Sequence, residues 1–377
     1  MIRPDLKLIV IDPEVATTPT AEAARRNRGS AEVREEPTER WSDGGRGVSL
    51  SEGKRTLLIR RFRGQAFKAC QGSRPDYNCC GLYTLADGHG CGMECTYCVL
   101  QHYLTAPHLT SFANLKDLLA PAAAAASNQP DRLLRICTGE LSDSLLLEPI
   151  TEVTRHLLPL FATLPQNTVL ELKTKTDNVE NLLERDPVNR VLVSWSLNPP
   201  EISQREELRT ASIPRRLAAA RRVAAHGYPV GFHFDPLIRY PGWRDGYGAL
   251  LAEMRHAVSP DRVAWISMGS LRMSPAMKST VEDRFPGSNL TAGELLRAPD
   301  GKLRYPRPMR LEMFRFVLDR LEDLGYDLEG DNPPVYLCME RLHVWRRLFS
   351  NPPTTPQEVD QRLGNAFLRR YSGSTES

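Results

Sequence analysis

From Leu82 onward, short apolar runs alternate with amphipathic helical stretches, the pattern of a parallel sheet joined by crossover helices. The runs predict strands over residues 83–86, 133–137, 168–173, 191–196, 229–234 and 263–267. The stretches between and after them predict helices near 115–126, 149–162, 179–184, 214–225, 243–257 and 308–324. Pro214 stands at one predicted helix start, where no N–H is needed, and Gly227 just past its end, where a left-handed residue closes the last turn. Six such units imply an α/β fold, a partial or full TIM-like barrel, whose sites form at the carboxyl ends of its strands. A further strand is expected at 334–339 and a closing helix at 341–349, with Val344 and Leu348 facing one side and Trp345 beside them.

The pattern fails at both ends. Residues 6–11 could form a short strand, but 12–53 are rich in Pro, Thr, Arg, Glu, Ser and Gly and poor in large apolar residues. Such a stretch buries too little surface to offset its ordering entropy, so 1–53 is expected to be a disordered leader, solvated rather than a nucleic-acid arm. The folded part is expected over 54–349, and 350–377, with Pro352, Pro353 and Pro356, as a loosely ordered tail.

Composition narrows the class. A chain of 377 residues with 41% hydrophobic and 25% charged residues is an ordinary globular protein of one large domain or two. A net charge of +3 does not announce a nucleic-acid binder, although it leaves room for a local basic groove. No apolar run approaches the roughly 18 residues that span a bilayer, and no basic-then-apolar signal opens the chain, so a cytoplasmic protein without a membrane partner is expected. Of the eight cysteines, six fall between Cys70 and Cys98, which suggests metal chemistry in a reducing compartment rather than a disulfide scaffold.

Three of those cysteines stand in Cys91-Gly-Met-Glu-Cys95-Thr-Tyr-Cys98, behind a glycine-rich approach, Asp87-Gly-His-Gly90. Thiolates suit iron–sulfur clusters and zinc. A cubane cluster is usually held by four of them, so three would leave one iron open to a small molecule. The same spacing is also one face of a helix, but Gly88, Gly90 and Gly92 disfavour a helix beginning before Cys91. Zinc is the other reading, with His89 or His102 completing four ligands. Cys70, Cys79 and Cys80 read as packing residues or a cap before the motif.

Cys91-x3-Cys95-x2-Cys98 resembles the signature of the radical S-adenosylmethionine (radical SAM) superfamily. With Cys98-Val-Leu-Gln-His-Tyr, the Cys137-Thr-Gly-Glu-Leu-Ser-Asp segment and His226-Gly-Tyr-Pro-Val-Gly-Phe, it resembles the spore photoproduct lyase family over about residues 56–349. The resemblance implies a partial (β/α)6 TIM-like barrel with a C-terminal α/β extension. It also implies a [4Fe–4S] cluster on Cys91, Cys95 and Cys98, with SAM as the second cofactor, cleaved to a 5′-deoxyadenosyl radical that abstracts hydrogen from substrate. Glu140, Lys175, Ser196 and Asn198 match by position the residues that bind SAM, although a small slip would exchange Lys173 for Lys175. Cys137 matches the cysteine that donates hydrogen to the product radical, and Tyr97 one of two tyrosines flanking the last cluster cysteine. The second is Val99 here, and Gly139-Glu140 is an insertion; both are departures from the lyases. His233, Asp235, Arg239, Arg272 and Arg304 are assigned to substrate. The implied partners are a flavodoxin- or ferredoxin-type electron donor and a DNA or nucleoside substrate. A radical SAM enzyme acting on a small nucleoside or sugar, and a zinc-stabilised nucleic-acid-binding protein without catalysis, are the alternatives.

Overall fold

The computed structural model describes residues 1–41, 48–72, 76–328, 330 and 333–371. Its main sheet carries seven parallel strands in chain order: Tyr83–Leu85, Leu134–Cys137, Thr168–Thr174, Val191–Ser196, Val230–Leu237, Val263–Ser270 and Val335–Leu337. The antiparallel strand Phe67–Ala69 edges the first of them. The six predicted strands and the seventh at 334–339 are all present, each paired with its sequence neighbour. The sheet is open, its first and last parallel strands unpaired with each other, as expected of a partial barrel. These strands are apolar almost throughout because both faces are covered. Ile136, Leu170, Val193, Phe232 and Ile266 are among the fully buried residues of one continuous core. Each such side chain contributes about 1.5–3 kcal/mol through the water it sheds.

The helices follow prediction to within a residue or two, as at Trp243–Ala257 and Ile213–His226. The expected helix at 149–162 is broken: Glu152 is left-handed, at φ 47°, and divides Glu148–Thr151 from Val153–Ala162. In the closing helix Leu342–Leu348, Val344, Trp345 and Leu348 are all buried.

Both terminal expectations are overturned where the residues are described. The leader forms a second sheet in which Leu8–Ile11 lies between Glu32–Glu35 and Thr56–Arg60, all parallel, extended through Leu109–Phe112 to Gly88–His89. Helix Pro19–Arg26 packs on it through Ala21 and Ala24, and on Glu148–Thr151 of the barrel side. Composition averaged over 12–53 hides that Val15, Ala16, Ala21, Ala24 and Ala31 converge with Ile9, Ile11, Leu57 and Ile59 on one core. Asp12 ties the segment down by accepting from Glu14 N, Thr38 N and Thr38 Oγ1 at 3.0, 3.0 and 2.8 Å. Residues 42–47 of that expectation lie outside the described residues.

The tail is helical over Pro356–Tyr371. Val359, Leu363 and Phe367 are buried, and Phe367 meets Trp265 at a ring separation of 6.0 Å. Asp360 pairs with Arg132 and Arg135 at 2.8 and 3.4 Å, and Arg370 reaches Val263 O at 2.7 Å. The helix therefore closes the amino-terminal end of the barrel and leaves the carboxyl ends of the strands for chemistry. Residues 372–377 lie outside the described residues.

Candidate active site

The cysteine loop follows the first barrel strand and is shaped by its glycines. Gly88 and His89 pair antiparallel with Ser111 and Thr110, so a Cβ at Gly88 would stand 2.6 Å from Thr110 O. Gly90, at φ +83°, would meet His108 O at 2.9 Å. Beyond it, Glu94–Cys95 pairs antiparallel with Glu207–Leu208.

Side chains then fix the loop from outside. Lys54 donates to Met93 O at 2.5 Å and pairs with Glu94 at 3.1 Å, and Arg284 pairs with Glu94 at 2.9 Å. Gln101 Nε2 donates to Cys95 O and Thr96 O at 2.8 and 3.0 Å, and Thr96 Oγ1 donates to Glu206 at 2.7 Å. Cys95 is buried and Cys91 and Cys98 half-buried, packed with Met93, Leu146 and Ile2. Burial pushes the Cys91 thiol well up and that of Cys95 up to about 12, so only a bound metal would make them thiolates. Among the described residues no three His, Cys, Asp or Glu converge on a single metal ion. Cubane ligands need not converge, since each binds a different iron, and an all-thiol donor set on a fixed loop fits such a cluster.

Tyr97 packs against the same cluster and carries its hydroxyl into a buried network. Its hydroxyl donates to Glu207, which pairs with the fully buried Arg216 at 2.7 Å and accepts from Asn198 Nδ2 at 3.1 Å. Burial would raise the Glu207 carboxyl, but Arg216 and Lys175 hold it down at about 2. Arg216 also reaches Ser196 O and Ala211 O, both at 2.8 Å. The remaining end of Asn198 accepts from Tyr247 at 2.8 Å. Asn198, expected to bind SAM directly, thus has both ends of its amide engaged within the protein and acts as a brace for Tyr97 and Glu207.

The other three expected SAM residues differ from Asn198. Lys175 lies with Nζ 5.8 Å over the Tyr97 ring and without a contact ion pair among the described residues. Neither Ser196 Oγ nor the half-buried Glu140 carboxylate has a hydrogen-bond partner among them. Cation, hydroxyl and acceptor are what the carboxylate, ribose and amino group of SAM require. Asp143 positions this edge by accepting from Thr174 Oγ1, Lys175 N and Leu145 N at 2.7, 2.8 and 3.1 Å. Gly139, at φ +74°, lets the loop after Cys137 lie flat, since a Cβ there would meet Ser144 Oγ at 2.7 Å and Lys173 O at 3.0 Å.

Cys137 ends the second strand, 1% exposed, with Sγ 3.0 Å from Thr138 O. Burial and Glu171 push its thiol well up, so the sulfur keeps its hydrogen. Across the interior, Glu171 accepts from His233 at 2.6 Å and Trp265 Nε1 at 3.1 Å. Asp235 is gripped by Arg272 through two bonds of 2.6 and 2.9 Å.

Not all expected substrate residues are presented to a ligand. His233 is a buried histidine satisfied by Glu171, and Arg239 pairs with Glu312 at 2.5 Å. Arg304 is 3% exposed, with its guanidinium spent on Asp300 and on Met339 O at 2.9 Å. The assignment of Arg304 to substrate is therefore corrected: it is an internal brace. Sequence reasoning missed Glu171, although a charge inside the apolar third strand marked it, and weighed Lys173 only as a replacement for Lys175 at SAM. It missed Glu207 and Arg216 for want of any local signal.

A family model described as spore photoproduct lyase matches residues 51–305. Spore photoproduct lyases from a Geobacillus species, Clostridium acetobutylicum and Bacillus subtilis are 26%, 25% and 24% identical over 218, 243 and 217 residues. These alignments cover 57%, 64% and 56% of this chain and 64%, 70% and 63% of the relatives, so the chain spans just under two thirds of the Geobacillus and Bacillus proteins. The solved structure of a spore photoproduct lyase mutant with dinucleoside spore photoproduct superposes with a TM-score of 0.75 at 22% identity, covering 92% of this chain and 100% of that one. A second, with bound AdoMet and the same dinucleoside, gives 0.74 at 22% identity over 88% and 98%. The comparisons favour neither the small-molecule nor the zinc alternative.

Proposed function

The chain belongs to the spore photoproduct lyase family, a radical SAM family, and from that premise we propose that it is a radical SAM lyase acting on a pyrimidine photoproduct of DNA. The observation that carries this reading is the fixed three-thiol loop after the first strand, with Lys175, Ser196 and Glu140 on neighbouring strand ends, whose side chains make no hydrogen bond or ion pair among the described residues. Cys91, Cys95 and Cys98 would hold the cluster, leaving one iron for SAM. When bound, the cluster supplies the electron that cleaves SAM to methionine and a 5′-deoxyadenosyl radical.

This chain's residues do the rest. Lys175 offers its ammonium to the SAM carboxylate, Glu140 accepts from the amino group and Ser196 meets the ribose. Asn198 and Glu207 hold Tyr97 beside the loop. Cys137, kept as a thiol by burial, can give its hydrogen atom to a carbon radical, because the S–H bond is weak. The substrate assignment draws on the relatives named above, whose structures contain dinucleoside spore photoproduct. Among the described residues no helix is long and apolar enough to cross a membrane. The reductant in this reading is of flavodoxin or ferredoxin type, and the setting is the cytoplasm.

Anaerobic reconstitution with iron and sulfide, then reduction and SAM addition, tests the proposal. A broad visible cluster band and 5′-deoxyadenosine are expected, and their absence sinks it. Dinucleoside spore photoproduct should then be converted to thymidines; SAM cleavage without that conversion removes the substrate assignment alone.

A further inference from the structure

We propose that Lys173 is a substrate-binding residue, which holds a neutral acceptor oxygen of the substrate, a pyrimidine ring carbonyl, beside the Cys137 thiol. The inference rests on the radical SAM reading above and names a recognition group within it.

The third strand reads Leu170-Glu171-Leu172-Lys173-Thr174-Lys175, so Glu171, Lys173 and Lys175 share one face. The bond from His233 on the fifth strand to Glu171 identifies that face as the barrel interior. Glu171 is in register with Cys137, which sets Lys173 one step nearer the mouth than the thiol. Its backbone is fixed: Lys173 N donates to Ser144 Oγ at 2.9 Å and Lys173 O accepts from Ser144 N at 3.1 Å. Only the side chain is free to reach.

The ionisable groups around the ammonium include Cys70, Cys137, Glu140, Glu171 and Asp235. His233 and Trp265 both bond to Glu171 Oε1, Glu171 Oε2 makes no hydrogen bond to Lys173 or to any other described residue, and Asp235 is taken by Arg272. Lys173 Nζ has no contact ion pair or hydrogen bond among the described residues, although an ammonium carries three donors that want acceptors. Lys173, Glu140, Asp235 and Arg272 are all half-buried, as expected of a recess at the strand ends that a ligand could enter.

Charge decides the class of acceptor. Lys173, Arg272 and the His233 bonded to Glu171 are set against Glu140, Glu171 and Asp235, so the recess carries no surplus of positive charge to hold a phosphate. A neutral carbonyl takes an ammonium hydrogen bond at no such cost.

The test measures dinucleoside spore photoproduct binding to the cluster-free protein by calorimetry, and SAM binding to the reconstituted protein. Lys173→Met should weaken dinucleoside binding by about tenfold, with Lys173→Gln, which keeps a donor, losing less. SAM affinity should fall by much less than dinucleoside affinity. Thermal melting checks that each variant is folded, and Lys173→Gln carries the comparison if Lys173→Met is not. Unchanged dinucleoside binding in the folded variant, or an equal loss of SAM affinity, overturns the inference. So does a wild-type protein that cleaves SAM but binds no dinucleoside. Failure of the wild type to take up a cluster or cleave SAM would instead count against the radical SAM reading.

Discussion

Glu171, Glu207 and Asp235 are each held down at about 2 although the first two are buried and the third half-buried, because burial is outweighed by His233, Arg216 and Arg272 respectively. A carboxylate lowered in the folded state stabilises fully above its unfolded value, about 4, and that contribution is lost as pH falls towards 2. Stability should therefore hold from neutrality to about pH 5 and drop steeply below about 4, as urea titrations across that range would show. Glu207→Gln leaves Arg216 buried without its counter-charge and should cost about 3–5 kcal/mol, read from the urea midpoint. Cys137 belongs to the same scale: Cys137→Ala should retain SAM cleavage while changing the products recovered by mass spectrometry, and unchanged products would remove it from the mechanism.

Among the elements, the glycine approach and the terminal helix have opposite duties. Gly88 presses against a strand backbone that cannot yield, so Gly88→Ala should reduce iron bound after reconstitution; Gly248→Ala, within a helix and with only Phe316 at 3.8 Å, should not. Iron and sulfide analysis compares the two. The helix Pro356–Tyr371 acts at the far end, where Phe367→Ala removes a fully buried ring and should lower stability by about 3–5 kcal/mol without altering iron content. Both elements answer to sequence rules, but differently. A glycine run before a cysteine motif is a local signal. The burial of Val359, Leu363 and Phe367 depends on Trp265 and its neighbours, about a hundred residues away in the chain, and polar, proline-rich surroundings concealed it.

For the whole molecule, the two sheets meet at the cysteine loop: Gly88–His89 belongs to the N-terminal sheet and the strand before it to the barrel. Deleting residues 1–53 would uncover Leu57, Ile59 and Leu109, all fully buried, and the truncated chain should aggregate, as size-exclusion chromatography would register. A soluble, monodisperse product would restore the idea of a dispensable leader. The barrel itself was legible without coordinates. Strongly apolar strands at regular intervals, each followed by a helix, permit few topologies, and parallel strands covered on both faces announce themselves by composition. The cysteine spacing and the polar strand ends were legible because the chemistry needs fixed residue types at fixed steps.

Legibility ended where partners are remote. Nothing near Glu207 in sequence indicates that it pairs with Arg216 and receives the Tyr97 hydroxyl, since that meeting depends on a short strand docking against Cys95. Arg304 and Asn198 read as ligand-binding groups, and tertiary packing spends both on internal partners. Sequence by itself thus determined the strand order, the end of the barrel that bears the site and the three thiols, because periodicity and spacing are local properties of the chain. Only the tertiary structure decided which polar side chains remain free for a ligand and which are consumed in holding the cysteine loop, because a hydrogen bond is settled by where its second partner lies.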